Sequence, residues 1–138
     1  MRSWRFSARL LAGLALLVIA HLAHAQSTGA PTVAEAKHFF ATLVSLGDNY
    51  DPRYAELFSE RAYIQNTRRY PGGKARVTKL NGAQYKEMIL KAIPIAKSVG
   101  DRSSYSKVNY SAEGNGIRIH ATRFAERKNY YSPIAFLV

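Results

Sequence analysis

Along the first part of the chain the apolar positions keep a helical period. Val33, Ala36, Phe40, Leu43, Val44 and Leu46 fall close to the i, i+3, i+4, i+7 series. Thr32 and Glu35 precede them at the spacing of a capping box, and Gly47 follows as a stop. A helix is therefore predicted from Val33 to about Leu46. Asp51-Pro52 then offers an N-cap with proline at the first helical position. A short second helix is expected over about 52–58, with Tyr54, Leu57 and Phe58 inward.

From Glu60 the period becomes two. Ala62, Ile64 and Asn66 alternate with Tyr63, Gln65 and Thr67, which suits a strand with two different faces. Pro71-Gly72-Gly73 is a turn, and residues 75–80 alternate again, as the second arm of a hairpin or as an extended lead-in. Asn81-Gly82 opens a third helix with Tyr85, Met88, Ile89, Ala92 and Ile93 as its apolar stripe. Pro94 either bends that helix or stops it near Ala92, because proline removes an internal hydrogen bond and clashes with the preceding turn. Gly100 closes the segment. Tyr105, Val108 and Tyr110 then lead into the Glu113-Gly114-Asn115-Gly116 turn, and Ile117, Ile119, Ala121 and Arg123 alternate with Arg118, His120, Thr122 and Phe124. A polar loop leads to residues 130–138, where Pro133 marks an edge strand or a bend. The chain ends on Phe136-Leu137-Val138 without a polar tail, so a C-terminal truncation with loss of at least one strand is expected.

Residues 1–25 are patterned differently. Arg2, Arg5 and Arg9 precede an uncharged apolar run over residues 10–20, and Ala23-His24-Ala25 gives the small-x-small site of a signal peptidase. The run is shorter than the about 20 residues that span a bilayer. A signal peptide cleaved after Ala25 is expected, with a periplasmic or secreted product and no stable membrane span. His21 and His24 then leave with the leader.

Composition adjusts the picture. The 138 residues are 47% hydrophobic and 12% aromatic, enough for one folded domain with a core. The net charge of +11 would suggest nucleic acid or an anionic surface. Three of the 20 bases and none of the 9 acids lie in the leader, so residues 26–138 carry 17 bases against 9 acids, or +8. Absence of cysteine excludes disulfides, thiolate metal sites and Cys nucleophiles. No nucleotide-binding glycine loop and no Gly-x-Ser-x-Gly elbow occurs.

Two helices, a strand or hairpin, a long helix and a run of strands form an α+β order. The first helix ending at Leu46-Gly47-Asp48, the passage Ala55-Glu56-Leu57-Phe58-Ser59-Glu60-Arg61-Ala62-Tyr63-Ile64 and the Gly100-Asp101-Arg102 turn carry the comparison. With these residues, residues 26–138 resemble the nuclear transport factor 2-like (NTF2-like) superfamily, which includes SnoaL-like polyketide cyclases and ketosteroid isomerases. The resemblance implies three helices packed on a curved antiparallel sheet, a cone holding a small apolar ligand, and a homodimer formed across the sheet. In the family one more strand, commonly bearing Trp, closes the sheet. Isomerase-like members carry a carboxylate base on the first strand, and the matching position here is Asn66, whose amide does not accept a proton. Later strands offer only Glu113 in a turn and Glu126 in a loop. Enolisation and two-carboxylate epoxide chemistry are thus disfavoured.

The resulting expectation is a ligand-binding or interaction module without assigned catalysis, with no cofactor and no metal. Candidate lining residues are Phe40, Tyr63, Tyr110, Ile119 and Tyr130, with Asn66 and His120 as polar anchors. An isomerase or lyase using His120 or a tyrosine is the first alternative, and it requires His120 to be enclosed and oriented by a partner. Arg68, Arg69, Lys74, Arg76 and Lys79 surround the Pro71 turn, and Arg123, Arg127 and Lys128 form a second cluster. The first of these is read as a solvated face or, as the second alternative, a surface that docks on anionic envelope polymers; for an exported protein nucleic acid is disfavoured.

Overall fold

The computed structural model describes residues 29–138, so the signal-peptide expectation lies outside the described residues. Helix α1 (Val33–Asp48) begins with the expected box: the Glu35 N–H donates to the Thr32 hydroxyl, and the Glu35 carboxylate accepts from the Thr32 N–H at 2.7 Å. That hydrogen bonding holds the Glu35 carboxyl below its ordinary value. Asp51 caps a 3-10 helix, Pro52–Leu57, by accepting from the Arg53 N–H. Strands β1 (Tyr63–Arg69) and β2 (Ala75–Asn81) pair antiparallel as a hairpin, which settles the role of the second segment.

Helix α2 (Gly82–Val99) starts on a second capping box, formed by Asn81 and Gln84. It neither stops at Ala92 nor ends before Pro94 but runs through it to Gly100, which adopts φ 64°. The proline is exposed, and so is Leu90 four residues earlier, so solvent can satisfy the carbonyl that Pro94 leaves free. Ile89, Ile93 and Ala96 anchor the inner face on both sides of the break.

Strands β3 (Ser103–Glu113), β4 (Gly116–Ala125) and β5 (Tyr130–Leu137) form an antiparallel meander in that order. Pro133 sits on edge strand β5, opposite Thr122. The sheet is thus in two pieces, a two-stranded hairpin and a three-stranded meander, rather than one continuous curved surface. The hairpin packs on α2, and the meander packs on α1.

The core lies between α1 and β4. Ala36 and Phe40 meet Ile117, Ile119 and Ala121, with Tyr105, Tyr110 and Phe136 closing over them. Phe40 meets Tyr105 edge-on at 5.5 Å between ring centres, a geometry aromatic pairs favour. A bulge in β3 makes this packing possible. Register shifts between Ser106 and Asn109, and Lys107 takes φ 52°. Two residues of β3 then oppose one of β4, so Tyr105 and Tyr110, five positions apart, both reach the α1 side. Among the described residues no helix is long and apolar enough to cross a membrane.

Candidate functional site

A cleft of ≈ 190 Å³ opens where the C-terminal half of α1, the 3-10 helix, α2, the start of β3 and the end of β4 converge. Val44, Leu46, Ile89, Ala92 and Ile93 supply its apolar walls, and Tyr50, Tyr54 and Tyr105 its aromatic ones. Each element delivers its residues for a local reason. Gly47, in the last turn of α1, lies against the ring of Tyr54, which a Cβ there would meet at an ordinary contact distance of 3.5 Å. The β3 bulge turns Tyr105 inward, as above.

Arg123 is the charged group at the inner end. It continues the row Ile117, Ile119, Ala121 along the core face of β4. Tyr105 lies directly opposite it on β3, and Ser132 on β5. One terminal nitrogen, Nη2, donates to the Tyr130 hydroxyl at 3.0 Å, with the Tyr130 ring 5.9 Å from the guanidinium. Its Nε is buried and finds no hydrogen-bond partner. A donor in that state costs free energy until an acceptor reaches it.

Tyr54, Tyr85 and Tyr105 gather around this cation. Burial raises all three phenols above their ordinary value, and the charge of Arg123 opposes the rise in each. Phe58 bridges Tyr54 and Tyr85, at 5.6 and 4.9 Å between ring centres. At the mouth stand Asp48, Asp51, Asp101 and Arg102. Asp51 is held by Arg53 at 2.6 Å, and the Arg102 Nε donates to the Tyr50 hydroxyl at 3.2 Å.

The residues expected from sequence fall in several settings. Ile119 is 0% exposed, and Phe40 is buried beside it; both are core, away from the cleft lining. Tyr110 packs against the same cluster, with Lys37 over its ring. Tyr63 is 67% exposed on the hairpin, where Asn66 is also exposed. Tyr130 touches the site only through Arg123. His120 points to the side of β4 away from Ile119 and is exposed, so the enclosure that an acid–base role demanded is missing there. The five basic candidates are all exposed on the hairpin. Among the described residues, no group of three His, Asp or Glu is placed to hold a metal ion.

No family model, curated protein or solved structure matches the chain. What the cleft can hold follows from its own residues.

Arg123, Tyr54, Tyr85 and Tyr105 are not among the candidate ligand-binding residues that the sequence offers, although Tyr54 and Tyr85 are expected on inward faces. One signal did exist: Arg123 shares the parity of Ile117, Ile119 and Ala121, so a single base occupies an otherwise apolar row. Its nearness to Arg127 and Lys128 grouped it with surface charge instead.

Proposed function

We propose that the protein is an exported, NTF2-like binding module whose cleft takes a small molecule with one apolar ring and one acceptor group, best a carboxylate. The observation that carries this reading is the Arg123 guanidinium, without a carboxylate partner among the described residues, lining an apolar and aromatic cleft. A guanidinium matches a carboxylate in shape and charge, and such bonds are about twice as strong as neutral ones. The volume is slightly larger than the about 150 Å³ that accommodates benzene, so one ring with a short acidic arm fits. Asp48 and Asp101 at the mouth disfavour polyanions. The order of elements supports the NTF2-like part, and the cationic–apolar pattern of residues 1–25 supports export.

Pairing of two copies belongs to the same proposal. Met88, Ile95 and Val99 recur at helical spacing on the outer side of α2, and Ile95 is 66% exposed.

Native mass spectrometry of protein recovered from its producing cells tests both parts. A dimer retaining a small acid is expected. Benzoate titration followed by NMR then reads the site: resonances of Val44, Ile89 and Arg123 shift together. An empty monomer whose spectrum ignores aromatic acids overturns the proposal.

A further inference from the structure

The β1–β2 hairpin carries cations that the fold itself leaves unused. Between Arg61 and Lys86 inclusive the chain has seven bases and no acid, and every residue from Gln65 to Lys79 is exposed. Arg68 lies directly opposite Arg76 in the ladder, and the Tyr70 N–H, donating to the Lys74 carbonyl at 2.8 Å, extends the ladder by one pair. Strand alternation therefore sets Arg68, Tyr70, Lys74 and Arg76 on one face, with Arg69 and Lys79 on the other. Like charges directly opposite destabilise a hairpin. None of these cations meets a carboxylate: the ion pairs among the described residues are Arg53–Asp51, Lys91–Glu87 and Arg118–Glu113. The Arg68 guanidinium is steadied 5.3 Å over the Tyr70 ring.

A surface that opposes like charges without internal counterions fits an external anion, and its shape narrows the choice. The tip beyond Tyr70 is Pro71-Gly72-Gly73, with Gly72 and Gly73 at φ 85° and 80° and no bulky side chain to hold a partner off. One tyrosine beside three cations suits the boundary between headgroups and acyl chains. Single-stranded nucleic acid would call for a series of stacking rings, and this face has one. We infer that the Arg68, Tyr70, Lys74 and Arg76 face docks the protein on an anionic lipid bilayer, phosphate headgroups settling among the three cations while Tyr70 enters the interface. None of these residues lines the cleft, so the inference stands apart from the ligand reading.

The test uses the full chain and phosphatidylcholine vesicles carrying about 30% phosphatidylglycerol, with partitioning measured by sedimentation at two salt concentrations. Residues 1–28 are common to every variant, and a peptide of those residues measured on the same vesicles gives their own partitioning, which is subtracted before the ratios are taken. Each basic side chain at an anionic surface is worth about a five-fold factor, so R68Q/K74Q/R76Q partitions about 100-fold more weakly than wild type. R69Q/K79Q, on the opposite face, loses under about five-fold, reflecting the screening distance in salt. Tyr70→Ser weakens binding further at high salt, where the charge contribution fades. Circular dichroism confirms folding of each variant, and the triple variant melts no lower than wild type because the Arg68–Arg76 repulsion is gone. The inference is overturned if wild type does not partition, if the triple variant partitions like wild type, if both faces lose equally per charge, or if duplex DNA is bound more tightly than the vesicles at the same salt.

Discussion

Replacing Arg123 by methionine should make the protein more stable and less able to bind. A buried donor without a partner costs about 1–3 kcal/mol, and Nε of Arg123 is such a donor. Methionine removes it while keeping an unbranched stem of similar length against the cleft walls. The Tyr130 hydroxyl loses its bond from Nη2, but Tyr130 is 42% exposed and its hydroxyl returns to water, a loss of about 0.5 kcal/mol at most. The balance favours Arg123→Met by about 1 kcal/mol, or about 4 °C in Tm for a domain of this size. Benzoate affinity moves the other way. Loss of a charge-assisted bond of about 1.5–3 kcal/mol weakens binding about 10- to 100-fold. Urea unfolding and NMR titration measure the two effects. If the variant is destabilised by more than about 1 kcal/mol, Arg123 is a structural residue whose Nε is satisfied, and the premise fails. Unchanged benzoate affinity would remove Arg123 from the site.

Other outcomes follow from the same geometry. The folded pKa values of Tyr54, Tyr85 and Tyr105 lie above the ordinary 10.0 because burial disfavours the phenolate. Their contribution to stability is therefore complete below pH 10 and is lost as pH rises beyond it, so ultraviolet titration should show these three ionising only as the protein unfolds. Thr32→Ala and Asn81→Ala each remove a cap accepting from the third helical N–H, and each should lower urea-unfolding stability by about 1 kcal/mol. Gly82→Ala should cost about 3 kcal/mol in the same assay, because a Cβ at that buried position would overlap the Ser59 carbonyl oxygen; a cost below about 1 kcal/mol would mean that the Ser59–Glu60 segment after the 3-10 helix is not locked against the start of α2.

What the sequence announces and what it conceals differ in physical kind. Caps are local: Thr32 with Glu35, Asp51 with Pro52 and Asn81 with Gln84 each act within a few residues, so helix starts were legible. Strand parity was legible wherever the ladder is regular, as on β4, where Ile117, Ile119 and Ala121 all face α1. At Lys107 it fails, because a bulge adds one residue to β3 and changes which tyrosines share a face. Counted by simple alternation Tyr105 and Tyr110 are on opposite sides, and only the pairing with β4 brings both inward. The division of the strands into two sheets is likewise a matter of pairing, invisible in alternation alone.

The same distinction explains why the candidate site moved. Tyr54 and Tyr85 come from different elements and meet through Phe58, a tertiary arrangement with no sequence spacing to betray it. Arg123 is the instructive case, since its inward parity was readable and its charge argued for the surface. Parity is imposed by the ladder along the whole of β4, whereas a charge can remain inward if part of it reaches a partner. Nη2 does reach one, the Tyr130 hydroxyl, and Nε does not. A base kept in an apolar row at a cost in stability is what a binding site requires and what a core alone would discard. The hairpin applies the same reasoning at the surface, where Arg68 and Arg76 oppose each other without a carboxylate between them. Each place breaks a local rule of stability, and each presents free positive charge, enclosed in one case and open in the other. On the two proposals, the buried one selects a single small acid and the exposed one an extended anionic surface.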